Sequence, residues 1–319
     1  MFLILGKRPL PIGGVTIHVE RLLHYLSANN VSFEYLDLKK NSKQQIIMNI
    51  IMKKNIHLHS SNVYLRFLLT IFGKLTCKRI DLTLHGDLGR YESKIKNILD
   101  LLAIKLANKP VLLNNSSFNK AYKLNKNAFL GSSFIPPFSN SQNLDDSLMQ
   151  TIHLMKKKID FLFCTNAFNL AYDKNGQEIY GIFELIDIFT EQSKLGLIVS
   201  DPSGAYLREI NRKEFNIPEN IIIIPFPHSF YRIIELCDGT IRNTSTDGDS
   251  ISVKESLFLE KNTFCTNVVS RPKETITYKK GELDSLLKNY CSVRKMNLKS
   301  TFKKQVESSL SQVLDLYMK

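Results

Sequence analysis

The sequence has no apolar run long enough to cross a membrane and no paired cysteine motif. Its longest apolar stretch, around Phe67–Phe72, is far shorter than the ~20 residues that a spanning helix needs. The five cysteines form no Cys-x-x-Cys pair and follow no regular spacing, which argues against a disulfide or zinc framework and for reduced thiols. The first apolar run, Phe2–Leu5, is too short for a signal peptide. We therefore expect a cytoplasmic protein, either soluble or bound to the inner face of the cell membrane.

Familiar nucleotide and nucleic acid motifs are also absent. Lys7-Arg8-Pro9, followed by Gly13-Gly14, is neither Gly-x-Gly-x-x-Gly nor a P-loop, so an NAD-dependent oxidoreductase and an NTP hydrolase fit poorly. Helix-turn-helix and RNA-recognition signatures do not occur. Basic residues form scattered pairs such as Lys39-Lys40 rather than clusters interleaved with aromatic residues. We therefore expect no nucleic acid partner.

Positive charge is concentrated in the first half of the chain. Residues 1–150 hold 20 Lys and Arg against nine Asp and Glu, whereas residues 151–319 hold 23 against 21. A basic half favours an anionic partner, such as a membrane phospholipid or a lipid pyrophosphate. The alternative is that a lysine-rich surface is a compositional habit of the source genome, and the scattered basic pairs leave both interpretations open.

Short apolar runs alternate with helical patterns, which predicts βα units and parallel sheets, an α/β fold. Phe2–Leu5 is a predicted strand and Ile95–Leu106 a predicted helix. A helix after the first strand places five apolar residues on one stripe at helical spacing. These are Val15, Val19, Leu22, Leu23 and Leu26.

A second βα series, opening with Ile159–Phe163, follows a predicted domain boundary. Pro136-Pro137 cannot continue a helix or strand interior, and Ser139–Ser147 is polar. We place the N-terminal domain at 1–150 and the C-terminal domain at 151–319, ending in an amphipathic helix over Lys299–Tyr317. Open α/β sheets bind ligands at the carboxyl ends of their strands, so two doubly wound domains predict one ligand each, meeting in a cleft.

The strongest chemical signal lies in residues 242–256. Asp247 and Glu255 are eight positions apart, and a polar loop containing Gly248 follows the first acid. Asp249 or Ser250 can cap the helix that comes next. Backbone amides at a helix N-terminus suit a phosphate or a sugar hydroxyl.

The predicted helix gives Glu255 a direction. Val253 and Leu257 share one face and are expected to pack on the sheet, so Glu255 is predicted to point away from that face. A carboxylate there can accept hydrogen bonds from vicinal hydroxyls, such as those of a ribose. The alternative is a solvated turn followed by a surface glutamate.

Residues 242–256 resemble the acid-x7-acid signature of retaining glycosyltransferases of family 4, which have the GT-B fold. Tyr231–Arg242 is similar to the helix and strand before that signature, and Lys261–Lys273 to the strand and loop after it. In the first half, Gly13–His18 resembles the family's glycine-rich loop, and Thr83–Gly86 resembles its histidine-bearing strand end. Five similarities in the right order are more specific than any one of them.

The resemblance implies two Rossmann-like domains facing across a cleft, with a C-terminal helix that crosses back to the N-terminal domain. The N-terminal domain would bind the acceptor and the C-terminal domain the nucleotide sugar. Glu255 would bind the donor ribose, and Asp247 the hydroxyls of the transferred sugar. Backbone amides of Gly248, Asp249 and Ser250 would line the diphosphate.

In the first half, the resemblance implies roles for two glycines and a histidine. Gly13 and Gly14 would allow the backbone close to the donor phosphates or the acceptor, since glycine has no Cβ. His85 would lie near the donor sugar as a catalytic residue. The alternatives are a helix-starting turn for the glycines and a structural role for His85. No metal ion and no cofactor are expected to be required.

The chain departs from the family at two points. Asp247 stands where the family usually has Glu. Asn166 and Tyr180-Gly181 stand where an Arg and a Lys-Gly pair usually hold the diphosphate. Arg271 and Arg242 are candidates to replace that basic pair, and their alternatives are a surface arginine and a loop anchor.

The implied reaction moves a glycosyl group, with retention, from a nucleoside diphosphate sugar to a hydroxyl. A lipid-linked saccharide in bacterial surface-polysaccharide assembly, such as O-antigen or capsule, is the expected acceptor, and the basic first half would contact the membrane peripherally. The alternative is a catalytically inactive GT-B protein that binds a nucleotide sugar.

Overall fold

The computed structural model describes residues 1–10, 12–138, 144–173, 175–247, 249–293 and 301–318. The chain divides into two compact units, of which the first holds Met1–Phe138 with Gln305–Lys319 and the second holds Ser139–Lys304. A boundary after residue 150 falls inside a helix, Asp146–Lys156, that belongs wholly to the second unit. The last helix of the chain, Phe302–Met318, belongs mostly to the first unit, as the predicted crossing back requires.

The first unit is built on a six-stranded parallel sheet with the order β2-β1-β3-β4-β5-β6. Its strands are β1 Phe2–Gly6, β2 Phe33–Asp37, β3 Asn55–His59, β4 Arg79–Leu84, β5 Lys109–Leu112 and β6 Phe129–Leu130. Between them lie helices α1 Gly14–Ala28, α2 Lys43–Met52, α3 Val63–Leu75, α4 Lys94–Leu106 and α5 Asn115–Leu124.

Both faces of this sheet are packed. Leu3 and Leu5 of β1 belong to one hydrophobic core, whereas Phe2 and Ile4 belong to the other, because successive strand side chains point to opposite faces. The predicted stripe of α1 packs into the second core through four of its five residues, and Val15 is half-buried. The C-terminal helix packs into the same core, which fixes the end of the chain to the first unit.

The second unit is a six-stranded parallel sheet with the order β12-β11-β10-β7-β8-β9. Its strands are β7 Phe161–Asn166, β8 Leu195–Ser200, β9 Ile221–Ile224, β10 Gly239–Arg242, β11 Asn262–Thr266 and β12 Ile276–Tyr278. Its helices are α6 Asp146–Lys156, α7 Ile182–Thr190, α8 Ala205–Arg212, α9 Phe230–Leu236, α10 Ile251–Phe258 and α11 Leu283–Val293. The C-terminal helix Phe302–Met318, which belongs mostly to the first unit, is α12. Two hydrophobic cores again cover the two faces.

Each unit is therefore doubly wound, as the alternating pattern predicts. All carboxyl ends of a parallel sheet meet at one edge, which is where such sheets bind ligands. In the first unit that edge carries Gly6 and His59, and in the second it carries Asn166, Arg242 and Thr266. Among the described residues, no helix is both long enough and apolar enough to cross a membrane.

Candidate functional site

In the second unit, Asp247 is held by two arginines at the carboxyl edge of the sheet. Arg242, the last residue of β10, donates from Nε to Oδ2 at 3.0 Å and from Nη2 to Oδ1 at 2.9 Å. Arg271, in the loop after β11, donates from Nη1 to Oδ2 at 2.8 Å. The side chains of Arg242, Asp247 and Arg271 are only 11%, 6% and 3% exposed. One carboxylate thus faces two guanidinium groups, and the cluster is net positive.

The arginines also set the ionisation of this carboxylate. Burial alone would raise the pKa of Asp247, but the charge and hydrogen bonds of Arg242, followed by those of Arg271, outweigh it and lower that pKa below its usual value. Asp247 is therefore ionised at neutral pH. Its first structural role is to position two arginines, a role that sequence spacing did not indicate.

Arg242 also reaches the two positions at which the resemblance expects a basic pair. Its Nη1 donates to the Asn166 backbone oxygen at 3.2 Å and to the Asn166 Oδ1 at 3.4 Å. Its guanidinium lies over the Tyr180 ring, 5.2 Å from the ring centre. The guanidinium of Arg242 therefore lies beside both Asn166 and Tyr180, two positions whose own side chains carry no positive charge.

The loop after β11 is tied to the loop after β10 through Arg271. Arg271 Nε donates to the Thr266 backbone oxygen at 3.1 Å, and Thr266 Oγ1 donates to the Thr244 backbone oxygen at 2.8 Å. Arg271 Nη2 contacts Thr244 Oγ1 at 3.5 Å. These bonds hold the Arg271 guanidinium in one orientation before any ligand arrives.

A buried asparagine supports the other side of the cluster. Asn243 Nδ2 donates to Glu184 Oε2 at 3.0 Å and to the Gly181 backbone oxygen at 3.3 Å, while its Oδ1 accepts from the Tyr278 hydroxyl at 3.0 Å. Gly181, with φ of 63°, caps α7, and a Cβ there would lie 2.3 Å from the Asn243 backbone oxygen. Only glycine allows α7 to begin so close to the loop after β10.

Helix α10 corrects the prediction for Glu255. The expected open face is wrong: Glu255 is buried, with 4% of its surface exposed, and so are Ser252, Val253, Ser256 and Leu257. The reason is that α10 packs against α9, β10 and β11 together, so that its interior turns are surrounded. Glu255 is a buried carboxylate in the helix that follows the Arg242–Asp247 loop.

The other residues of that loop have mixed outcomes. Gly248 lies outside the described residues. Asp249 is exposed and pairs with Lys254, and Ser250 occupies the N-cap position of α10 with its hydroxyl 3.0 Å from Ser252 Oγ.

In the first unit, Gly13 and Gly14 form the start of α1. Gly13 is the N-cap residue with φ of −164°, an extended conformation that any residue adopts. Its backbone N–H donates to Thr16 Oγ1 at 3.0 Å, and that hydroxyl contacts the Gly13 carbonyl oxygen at 3.0 Å. Gly14 is exposed at the first helical position. The conformation of α1 therefore does not itself demand these glycines.

His85 follows β4 and lies in a group of histidines. Its Nε2 is 3.3 Å from His59 Nδ1, and its ring centre is 4.9 Å from that of His18. Burial, followed by the neighbouring imidazoles and arginines, holds the pKa of His85 well below its usual value. Sequence reasoning missed His57 and His59. Their spacing of two within a strand was an available signal, because it places both side chains on one face.

A cavity of about 530 Å³ lies beside these histidines at the same edge. Its lining includes Lys7, Thr16, His59, Tyr91 and Lys96. The two lysines favour an anionic occupant.

Comparison with known proteins supports the architecture. The sequence matches no protein-family model and no curated protein. HepE of Anabaena, solved with UDP-glucose, superimposes with a TM-score of 0.68 at 10% identity, covering 99% of each chain. The catalytic domain of Arabidopsis thaliana starch synthase IV, bound to ADP and acarbose, gives 0.61 at 12% identity, covering 99% of this chain and 98% of its own. UDP-GlcNAc 2-epimerase of Methanocaldococcus jannaschii gives 0.60 at 12% identity, covering 100% and 99%.

At these identities the likeness shows the fold. The chain has two Rossmann-like domains of the GT-B type, which confirms the predicted fold class.

Proposed function

We propose that this chain is a glycosyltransferase that takes a sugar from a nucleoside diphosphate sugar bound by its second unit. The observation that carries the proposal is the Arg242–Asp247–Arg271 cluster at the carboxyl edge of the second sheet. Open α/β sheets bind ligands at this edge. Structures with the same fold hold UDP-glucose in HepE and ADP in starch synthase IV.

The two arginines are suited to the leaving group. Transfer of a sugar leaves a nucleoside diphosphate, whose developing negative charge must be stabilised. Guanidinium groups bind phosphate oxygens through paired, charge-assisted hydrogen bonds. Arg242 and Arg271 carry two positive charges against the one negative charge of Asp247, so the cluster keeps one positive charge for a ligand. Arg242 also lies beside Asn166 and Tyr180. We propose that Arg242 and Arg271 bind the diphosphate in place of the basic pair that the family usually has at positions 166 and 180.

The donor's remaining contacts follow from the resemblance. We assign the ribose hydroxyls to Glu255 on the resemblance alone, and this assignment requires the ribose to reach a side chain that is 4% exposed. Asp247 positions both arginines and contacts the transferred sugar. Asp249 and Ser250, with Gly248, present backbone amides to the diphosphate, and no metal ion is required in this loop.

The first unit is assigned the acceptor. His85 acts on the transferred sugar, and Gly13 and Gly14 bring the backbone close to the donor or the acceptor. Lys7 and Lys96 line the 530 Å³ cavity, which suits an anionic acceptor such as a pyrophosphate-linked saccharide. Retention at the anomeric carbon and membership of family 4 are the finer parts of this proposal.

Helix α2 supports an acceptor held at a membrane. Ile47, Met48, Ile51 and Met52 each expose between 57% and 68% of their surface, and together they form one apolar stripe. Lys43 and Lys54 at the ends of the helix are exposed as well. An apolar stripe flanked by lysines binds the interface of an anionic leaflet. We therefore propose peripheral contact with the inner face of the cell membrane and a lipid-linked acceptor for surface polysaccharide such as O-antigen or capsule.

One observation favours a second candidate. Asn166 and Tyr180 stand where the family usually has two basic residues that hold the diphosphate. Loss of those two residues would fit a GT-B protein that binds a nucleotide sugar without turnover. Both candidates share the donor site, and only the first consumes donor.

The donor proposal is tested by thermal melting of the full chain with UDP, UDP-glucose, ADP and ADP-glucose. A ligand at ~100 times its Kd stabilises the protein by about 2.7 kcal/mol, which raises the melting temperature measurably. Glu255→Ala should reduce that rise, whereas Glu219→Ala, at an exposed position of the same unit, should not. No stabilisation by any nucleoside diphosphate or nucleotide sugar would refute both candidates. Donor consumption with an acceptor extract then separates the enzyme from the binding protein.

A further inference from the structure

Three histidines of the first unit meet at the carboxyl edge of its sheet. His59 ends β3, His85 follows β4, and His18 lies in α1, which follows β1. Each ring offers one nitrogen, and the three nitrogens lie within 4.8 Å of one another. Three separate βα units therefore deliver three potential metal ligands to one point.

The closest pair already has the separation that a metal ion imposes. His59 Nδ1 and His85 Nε2 are 3.3 Å apart. Zinc binds histidine nitrogen at about 2.0–2.1 Å, so two ligands of a tetrahedral site lie roughly 3.3–3.4 Å apart. The ligand nitrogen of His18 lies within 4.8 Å of both.

A hydrogen bond also orients the ring of His18 so that one nitrogen can bind a metal ion. Its Nδ1 is 2.9 Å from the Ser133 backbone oxygen. A carbonyl oxygen only accepts, so Nδ1 carries the proton and Nε2 presents its lone pair. A backbone carbonyl bound to the second ring nitrogen is the usual way in which proteins orient a metal-binding histidine.

The neighbouring His57 lies outside the ligand set. Both of its ring nitrogens are already engaged, by Thr83 Oγ1 at 2.8 Å and by the Tyr317 hydroxyl at 2.6 Å. His59 is 2% exposed and turns Nδ1 towards His85, so Nδ1 is the nitrogen that it offers to an ion. Its Nε2 has no hydrogen-bond partner among the described residues, but it points away from Nδ1 and cannot bind the same ion.

Two arginines lie near His85. Arg66 is paired with buried Asp100, and Arg90 is exposed to solvent. The repulsion between these arginines and a bound cation is therefore small.

We propose that His18, His59 and His85 bind one divalent transition-metal ion of the zinc type. Three imidazoles without a carboxylate favour zinc over magnesium or calcium, and three protein ligands leave a fourth position open. His59 lines the 530 Å³ cavity together with Lys7 and Lys96, so the open position favours an anionic ligand from that cavity. The site uses no residue of the Arg242–Asp247–Arg271 cluster, and metal binding does not require that the chain transfers a sugar. With an ion bound, His85 would be a metal ligand in place of the direct role on the transferred sugar proposed above.

The test is a titration of the full chain, stripped of metal with a chelator, with Co²⁺ followed by Zn²⁺. We expect one equivalent of Co²⁺, a visible spectrum of low coordination number, and displacement by Zn²⁺. His18→Asn, His59→Asn and His85→Asn should each weaken binding by at least about 100-fold, since even outer partners of a metal ligand contribute 10–100-fold. His24→Asn, at an exposed position of α1, and His153→Asn, in the second unit, should bind like the wild type.

X-ray absorption on the zinc-loaded wild type keeps the proposal testable if a buried variant does not fold. The expected shell holds three imidazole nitrogens and one light atom, without sulfur. A shell containing sulfur, no stoichiometric binding, or binding unchanged in all three folded variants would overturn the proposal.

Discussion

Arg242 binds both oxygens of Asp247, through Nε at 3.0 Å and Nη2 at 2.9 Å, across the five-residue step that follows β10. The same carboxylate accepts from Arg271 after β11. One acid therefore joins the loops of two neighbouring strands. Because the guanidinium groups are already oriented, the diphosphate that we propose as their ligand would not have to reorganise them, and such preorganisation is a main source of electrostatic catalysis.

Replacing the shared acid should destabilise the fold. Asp247→Asn keeps the shape but leaves two buried arginines without their counter-ion. Breaking a buried pair costs about 3–5 kcal/mol, so we expect the free energy of unfolding to fall by about 3 kcal/mol in chemical denaturation. Asp187→Asn, at an exposed position of α7, is the control and should change it little. Equal stability of the two variants would contradict the role given to Asp247.

The same carboxylate predicts an acid dependence of stability. The pKa of Asp247 is below its usual value of 3.8 in the folded protein. A lowered pKa stabilises the folded state above the unfolded value, and that contribution disappears as the pH falls through the folded value. Unfolding free energies measured from roughly pH 5 to pH 2 should therefore fall more steeply for the wild type than for Asp247→Asn. Parallel curves would count against the ion pair.

The elements of the fold were largely predictable. The predicted helix Ile95–Leu106 lies in α4, and the predicted strand Phe2–Leu5 lies in β1. The closing helix, predicted over Lys299–Tyr317, spans Phe302–Met318, and positions 299 and 300 of the prediction lie outside the described residues. These segments have clear periods, because strands alternate faces and helices repeat every 3.6 residues. Local period is enough to identify such elements.

The site was predictable in part. Asp247, Arg242 and Arg271 were each singled out, but the ion pair between Arg271 and Asp247 depends on β10 lying beside β11, which spacing along the chain does not reveal. The orientation of Glu255 was mispredicted because α10 packs against α9, β10 and β11 at once, so its buried surface is wider than the Val253–Leu257 stripe that the periodicity shows. The meeting of His18 with His59 is likewise tertiary.

Arg271 should contribute directly to diphosphate binding. A hydrogen bond to a charged group contributes about 1.5–3 kcal/mol, so Arg271→Gln should weaken binding of UDP or ADP, whichever binds, by roughly 10- to 100-fold in calorimetry. Arg212→Gln is the matched control, because that arginine is 70% exposed on α8 of the same unit. An affinity that Arg271→Gln leaves unchanged would place the diphosphate elsewhere.

The apolar stripe of α2 should control membrane binding. Ile47→Ser with Ile51→Ser removes two of its four apolar side chains, so sedimentation with vesicles containing anionic lipid should fall well below that of the wild type. Leu154→Ser, at an exposed apolar position of α6, should leave binding unchanged. Added salt should weaken the wild-type interaction, since part of the attraction is electrostatic. Wild-type protein that does not sediment with these vesicles would remove the membrane proposal.

Alanine substitutions at Gly181 and Gly176 distinguish the cost of backbone strain from the cost of a steric clash. Both have positive φ, 63° and 74°, but a Cβ at Gly181 would lie 2.3 Å from the Asn243 backbone oxygen, whereas one at Gly176 would contact nothing within 4 Å. Gly176→Ala should therefore cost only the strain of a left-handed residue, about 1–2 kcal/mol.

Gly181→Ala should cost more than Gly176→Ala in denaturation. It should also weaken nucleotide binding at the proposed site, because the start of α7 would be pushed away from Asn243, the residue after Arg242. If the two variants lose equal stability and bind nucleotide equally well, the close approach of α7 to Asn243 does not hold the site in place.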